Sequence, residues 1–441
     1  MSPGAIKMEE LSTVKKKLSF EIPWSEVKEE LDAVYRDVAK KAKIKGFRPG
    51  KVPRKVLETY FKEQAEADTI TNIINKHYWQ ALEDKGIMSI SKPEITQEGL
   101  KENADFSFAA FFETEPVFEP KGYKGIEVEK ETIQITDADL ESKLLQIRQM
   151  FATMEEIKEE RPVAKGDFVT IDFTGSLNGE SSKELKAENY LLELGSQRFI
   201  PGFEEQIVGM KDDETKAINV TFPEEYHEKK YAGKEVSFSV TLKNIKEKKL
   251  PEMNEAFVKN FDKYNSLENL KKDVFKSLEE ESKKLAQTNM QNSIMQILLK
   301  ENDFEVPPSL VEKQIYYMMA DTHKRMTSAG MDEKSATELS LKMHDKFKDE
   351  ATNIVKSFLI LKTIAEKEAF IVEESEIDKH IDDLAQKHGR DYQLLKNAYE
   401  KEDRKDSLKA ELIQKKVFEF IEQYANIKAV EKIGMNPEVK Q

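Results

Sequence analysis

The chain has 441 residues, no cysteine and a formal net charge of -14, with 35% of its residues charged and 39% hydrophobic. Such a length implies several domains, since single cores rarely grow past ~250–300 residues. The missing cysteines exclude disulfides and thiolate metal sites and suit a reducing cytoplasm, while the acidic balance excludes general attraction to nucleic acid except at a local basic patch.

The opening stretch MSPGAIKMEELSTVKKK carries no apolar leader core, and no segment approaches the ~18 apolar residues of a membrane span. The expectation is a soluble cytoplasmic protein with no membrane partner. Residues 1–112 read as an α+β domain in which Val14–Ile22 and Phe106–Glu113 show strand-like patterning. Ser25 is placed to cap a helix bearing Val27, Leu31, Val34, Val38 and Ala42 at steps of three and four. That periodicity stops at KKAKIKGFRPGKVPRK, Lys40–Lys55, which holds eight Lys and Arg and no acidic residue. Gly46, Pro49, Gly50 and Pro53 punctuate this stretch, and Pro53 opens a helix carrying Val56, Leu57, Tyr60 and Phe61. A third helix is expected from about Asp68 to Lys85, ending at Gly86.

Phe47 and Arg48 thus fall at the tip of a connection between two helices. A generic basic cluster is a solvated loop. An aromatic ring between Gly and Arg on a proline-bracketed loop also suits an anchor, the ring filling a pocket while the guanidinium pairs with a carboxylate or phosphate. A ribonucleoprotein surface offers both.

Residues 113–160 read as a linker: Pro and Gly punctuate Glu113–Gly125, and Asp137 can cap a helix with Leu140, Leu144, Ile147, Phe151 and Met154 on one face. Within 161–246 the period becomes that of strands, in DFVTIDFTGS, ENYLLELG, TKAINVTF and EVSFSVTLKNI, with one short helix around FEEQIVGM. This predicts a compact, mainly antiparallel β domain. Residues 247–441 are helical in pattern, amphipathic but rich in charge, with a cap at Ser266 and a break at Pro307–Pro308; extended helical arms with thin cores follow. Nine of the 15 methionines lie beyond residue 250, where they serve either as core filler or as a surface for varied apolar partners.

Phe173, Tyr190, Phe199, Ile200, Phe203, Tyr226 and Phe238 of the β domain are each compatible with plain core. FIPGFEEQIVGM, Phe199–Met210, adds a Pro201-Gly202 turn leading into a short helix, a layout that can floor an apolar cavity. Few reactions need an apolar cavity without a nucleophile, and prolyl isomerisation is one. The X–Pro amide barrier of ~18–20 kcal/mol comes from resonance. A dry cavity disfavours the polar planar amide relative to the twisted one. The six histidines (His77, His227, His323, His344, His380, His388) show no metal-ligand spacing, and no nucleotide-binding or serine-hydrolase motif appears, so neither metal nor cofactor is expected.

Two motifs in order carry a family resemblance. GFRPGKVP, Gly46–Pro53, resembles the ribosome-docking motif of bacterial trigger factors. VTIDFTGSLNGE, FIPGFEEQIVGM and VTFPEEYH resemble the FK506-binding-protein-type isomerase domain of that family. The resemblance implies a multidomain α+β fold: a docking domain, a linker whose helix packs back on the C-terminal domain, an FKBP-like β domain and an all-α chaperone domain. It implies an ATP-independent chaperone that meets nascent polypeptides at the ribosomal exit tunnel and can dimerise off the ribosome. Gly46, Phe47, Arg48 and Lys51 become the ribosome-binding set. Phe173, Tyr190, Phe199, Ile200, Phe203, Tyr226 and Phe238 become the isomerase pocket.

The chain departs from the family pattern at Pro49, where a third basic residue is frequent. It departs again at Ser182 and Lys183, where an aromatic and an acidic residue usually stand. The second departure predicts a wetter pocket and reduced isomerase activity. Three other readings remain open: a prolyl isomerase whose other domains deliver substrate, a holding chaperone with an inactive isomerase domain, or an RNA-binding module built on Lys40–Lys55, disfavoured because no further aromatics interleave the basic residues. No DNA partner is expected.

Overall fold

The structure is a computed structural model that describes residues 6–435 apart from 49, 158–160, 178, 227 and 401, and apart from the side chains of 183, 402 and 403. Pro49, His227 and the Lys183 side chain therefore lie outside the described residues. The chain divides into two compact units, Met1–Lys130 with Thr288–Ala429, and Glu131–Gln287 with Val430–Gln441.

The first unit begins with β1 (Ile6–Glu10), β2 (Lys15–Ile22), α1 (Trp24–Lys41), α2 (Arg54–Lys85), β3 (Glu94–Gln97) and β4 (Phe106–Glu113). The strands form an antiparallel sheet in the order β1-β2-β4-β3. Leu18, Phe20 and Ile22 of β2 and Phe106, Phe108, Ala110 and Phe112 of β4 turn one face toward Val27 of α1 and Ile73, Tyr78, Ala81 and Leu82 of α2. This is the alternation that period-two patterning produces.

Two details differ from the sequence reading. Ser25 lies inside α1 rather than capping it: Pro23 holds the cap position, and the Trp24 amide donates to Asp105 Oδ1 at 2.9 Å. The second and third expected helices are one, α2, interrupted only by non-helical backbone at Phe61. The expected stop at Gly86 is present, in the left-handed conformation that glycine adopts readily.

After β5 (Glu127–Gln134) come α3 (Asp137–Met150), β6 (Thr153–Glu156), β7 (Phe168–Leu177), β8 (Glu180–Glu193), α4 (Phe203–Ile207), β9 (Thr215–Thr221) and β10 (Glu235–Lys249). β10 is the hub of the second unit's antiparallel sheet, pairing with β6, β7 and β9. β7 also pairs with β8, and α4 closes one face with Phe203 and Ile207 in the core. Thr136, one residue before the expected Asp137, caps α3 in a reciprocal capping box with Asp139. Leu144 of α3 shares a core with Phe257 and Val258 of α5 (Glu255–Val258) and with Leu270, Val274 and Leu278 in the first half of α6 (Leu267–Glu301). The linker helix thus belongs by packing to residues 257–278. Ser266 does cap α6, accepting the Asn269 amide at 3.2 Å.

The remaining helices are α7 (Pro308–Ser328), α8 (Glu333–Lys342), a 3-10 turn (Asp345–Phe347), α9 (Lys348–Lys367), α10 (Glu374–His388), α11 (Tyr392–Tyr399) and α12 (Glu402–Tyr424). A last strand, β11 (Asn426–Ile433), pairs with β5. Within the first unit these helices have several small cores. Tyr123, Ile126 and Val128 pack among Met290, Ile294 and Leu298 of α6, Ile360 and Ile364 of α9, and Val417 and Ile421 of α12. Separate clusters join α7 to α9 around Ile315, Met319 and Ala351, and α10 to α12 around Ile377, Ile381 and Leu408. Asn302 locks the linker onto α6, accepting the Lys121 amide at 2.8 Å and donating to its carbonyl at 3.0 Å. Glu113, at the end of β4, accepts the Ser309 amide and hydroxyl at 2.9 and 2.6 Å, placing a carboxylate at the positive start of α7.

Candidate functional site

The basic tip is a braced loop between α1 and α2. Its feet are apolar: Ala42 and Val52 are buried in a small core with Val34, Tyr35, Leu57 and Ala65. The Gly50 amide donates to the Ala39 carbonyl at 2.8 Å, tying the returning strand of the loop to the end of α1. At the tip the Phe47 amide closes a turn on the Ile44 carbonyl, and Gly46 and Gly50 take φ of 95° and 81°. A Cβ at either would adopt strained backbone, so these glycines set the turn. Phe47 is left 40% exposed, and Arg48 and Lys51, which follow it in the loop, are exposed too. The four expected docking residues Gly46, Phe47, Arg48 and Lys51 thus share one projecting turn.

The aromatic residues of the β domain split into two groups. Phe173, Phe203 and Phe238 are almost fully buried and meet edge to face: Phe203 and Phe238 at 5.3 Å, Phe173 with each at about 6 Å. Against them lie side chains that reach the surface. Phe199 packs 4.2 Å from Phe203, Tyr190 lies 5.9 Å from Phe199 and is 41% exposed, and Ile200 is half-buried on the same core. Tyr226 joins through Phe222, which it meets at 4.7 Å and which stacks toward Phe238. All seven expected pocket residues, Ile200 among the rings, therefore belong to one packed assembly, three of them buried and four reaching the surface.

Three features missed by sequence reasoning position the four side chains that reach the surface. Buried Glu204 of α4 accepts the backbone amides of Gly195, Gln197 and Phe199 and the Ser196 hydroxyl, so one carboxylate shapes the whole turn before Ile200. Burial pushes its pKa up, but these donors outweigh burial and leave the carboxyl below its ordinary value. Asp172 accepts from Lys243 at 2.6 Å and from the Asn189 amide at 2.7 Å, holding Asn189 in left-handed backbone beside Tyr190. The Lys243 contact first, then the Asn189 amide, depress the Asp172 pKa. The third feature is Phe222. The repeated acid-aromatic pairs Asp172-Phe173 and Phe203-Glu204 were the available signal for the first two. The Pro201-Gly202 turn is present as expected, with Gly202 at φ 85° and the Phe203 amide donating to the Ile200 carbonyl.

At the departure from the family pattern, the Ser182 hydroxyl pairs with the Tyr231 hydroxyl at 2.7 Å, and Tyr231 donates to Glu184 at 3.1 Å. Glu184 is also paired with Lys230.

A third surface lies on the helices. A cavity of about 760 Å³ opens between α7 and α9, lined by Leu310, Tyr317, Ile354, Phe358 and Leu361 with Lys313 and Glu350 at its polar margin. Tyr316, Tyr317, Ile354 and Phe358 are exposed, an unusual density of large apolar groups beside so small a core. The methionines divide: Met290 and Met319 are buried filler, whereas Met331 is exposed.

Family models match in the order in which these surfaces occur. Bacterial trigger factor protein (TF) matches residues 5–147, FKBP-type peptidyl-prolyl cis-trans isomerase residues 159–243, and Bacterial trigger factor protein (TF) C-terminus residues 266–423. The chain is 46% identical over 435 residues to the Trigger factor of Syntrophus aciditrophicus (strain SB), with 98% of each chain covered. It is 36% identical over 433 residues to the Trigger factor of Geobacter metallireducens, with 96% of this chain and 98% of that one covered. A solved structure described as "Promiscuous Substrate Recognition in Folding and Assembly Activities of the Trigger Factor Chaperone" aligns over 95% of this chain and 99% of its own, at 19% identity and a TM-score of 0.47. With family models spanning most of the sequence and so close a relative along nearly its whole length, this chain belongs to the bacterial trigger factor family.

Proposed function

We propose that the protein is a ribosome-associated, ATP-independent chaperone of the cytoplasm that binds nascent polypeptides and isomerises X–Pro bonds. Residues 1–112 dock, 161–246 isomerise, and 247–441 with the 113–160 linker hold clients. Phe47 is the anchor, inserting its ring into a pocket on the large ribosomal subunit while Arg48 and Lys51 face phosphate or carboxylate. The observation that carries this reading is Phe47 itself: an exposed ring on a loop fixed at both feet loses little entropy on docking.

Clients meet the exposed rings of α7 and α9 without sequence preference, because large apolar groups beside flexible polar margins accept many side chains. Unoccupied, the same rings favour a second copy of the chain. In the isomerase pocket Tyr190, Phe199, Ile200 and Tyr226 remove water from the X–Pro amide and lower the cost of twisting it. Among the described residues no helix is long and apolar enough to cross a membrane.

The test is co-sedimentation with purified ribosomes. Phe47→Ala is expected to weaken binding at least tenfold while aggregation suppression of an unfolded client off the ribosome stays near normal. Unchanged ribosome binding would reject the anchor. Affinity for naked RNA that survives Phe47→Ala and falls steeply with salt would instead favour an RNA-binding module.

A further inference from the structure

The pairing of β7 with β8 is interrupted where the family pattern departs. Ser176 pairs with Ser181 and Thr174 with Lys186, so residues 182–185 stand opposite Gly175 alone. This excess of chain lets β8 fold inward. Leu185 is buried there in the β-domain core. A Cβ built on Gly175 would lie 2.7 Å from Leu185 Cβ and 2.8 Å from Phe238 Cε1. Gly175 is thus bare because Leu185 occupies the space over it, against the Phe238 ring, two residues along β7 from Phe173.

Ser182 has a different task. Its hydroxyl is engaged by Tyr231, which is buried and stacked on Phe222. The hydroxyl therefore satisfies a buried phenol at the edge of the aromatic assembly and leaves the wall beside Phe238 to an aliphatic group.

We propose that Leu185 is a specificity-determining wall of the X–Pro pocket, keeping the space beside Phe238 dry where Ser182 does not. This rests on the isomerase reading above and reverses the expectation that Ser182 leaves the pocket wet. Leu185 and an aromatic at 182 compete for one volume, so their effects are not additive.

The experiment is a proline-limited refolding assay with full-length protein, together with kcat and KM on X–Pro peptides, for wild type, Leu185→Ala, Leu185→Asn, Ser182→Ala, Ser182→Phe and the Ser182→Phe/Leu185→Ala pair. Thermal melting of each variant identifies any that fail to fold. Leu185→Asn keeps the branched shape but is smaller and polar and so admits water, and is expected to lower kcat/KM about tenfold, mainly through kcat. Ser182→Ala should stay within about twofold. Ser182→Phe alone should give no gain, and the double variant should recover most of the activity lost in Leu185→Ala. Folded Leu185 variants with wild-type kinetics would overturn the proposal. So would a poorly active wild type that Ser182→Phe alone rescues, which leaves the isomerase site standing. Inactivity of every folded variant, wild type included, would overturn both the proposal and the isomerase reading.

Discussion

The guanidinium carbon of Arg54 lies 3.4 Å from the centroid of the Tyr35 ring, at the base of the tip loop. Arg54 also pairs with Asp32 and Glu58, so one residue at the start of α2 clamps α1 and the returning loop together. Arg54→Ala should leave the sheet core intact but loosen the loop. Amide exchange at Gly50 is expected to accelerate about tenfold, the equivalent of ~1.4 kcal/mol and within the range of a partly desolvated cation–π contact. Arg54→Lys should recover only part of it, since an ammonium cannot stack as a planar fork does. Equal exchange at Gly50 in wild type and Arg54→Ala would show that the apolar feet alone hold the loop.

Glu204 gives the isomerase domain an acid limit. Its carboxyl is held below 4.5 in the folded state, so its contribution is present above that value and is lost as pH falls through the lower folded pKa. Glu204→Gln removes the charge and turns an NH₂ toward backbone donors. It should cost about 2–3 kcal/mol. Exchange of the 195–199 amides is the readout, because both tryptophans, Trp24 and Trp79, lie outside the β domain and do not report on it. In Glu204→Gln the protection of those amides, corrected for the intrinsic pH dependence of exchange, should already be low at pH 7 and fall little further in acid. Persistent protection at pH 7 would remove Glu204 as the organiser of the turn.

His344 predicts the opposite pH sign. Glu312, then Asp345, raise its pKa above 6.5 by accepting its ring N–H groups, at 2.9 and 3.0 Å. The contact therefore supports the junction of α7 with the 3-10 turn fully below pH 6.5 and fades as pH rises through the folded pKa. Protection of the Asp345–Phe347 amides, corrected for the intrinsic base catalysis of exchange, should fall as pH rises through the folded pKa in wild type, and His344→Gln should flatten that profile. A wild-type profile without such a step would remove the histidine from this role.

Gly175→Ala tests crowding beside Phe238 from the other strand. The backbone of Gly175 is not in the left-handed region, so any penalty comes from the Leu185 and Phe238 contacts. A loss of about 1–3 kcal/mol is expected, most of it relieved by Leu185→Ala in the same chain. Additive losses in a melting experiment would mean that the two residues do not share the space.

The sequence was most legible where local chemistry decides the structure. Alternation in β2 and β4, the glycine stop after α2, the Ser266 cap and the Pro201-Gly202 turn all depend on near neighbours. It was least legible where the partner is remote. The Trp24 amide is capped by Asp105, 81 residues on, whereas near neighbours alone point to Ser25. β1, β6 and β11 carry charge at many positions (IKMEE, TMEE, NIKAVEKI) and show no apolar alternation; pairing supplies what pattern does not. The packed aromatic residues of the β domain were readable as a set because ring-rich motifs cluster in sequence. Leu185 was not, because its position depends on how many residues β8 spends opposite Gly175.

The linker's place in the helical core bears on how this protein is made. Tyr123, Ile126 and Val128 wait for Val417 and Ile421, and Asn426 donates to the Gly125 carbonyl from 301 residues away. The N-terminal sheet and the β domain are built from contacts within their own stretches and can close while synthesis continues. The helical core cannot: its earliest stretch of chain meets α6 and α9 first but lacks Val417 and Ile421 until the last helix has been made. Closure across so long a loop is entropically late. For most of its own translation, then, the protein is an incomplete polypeptide with a finished N-terminal sheet and an apolar segment still short of its full cover.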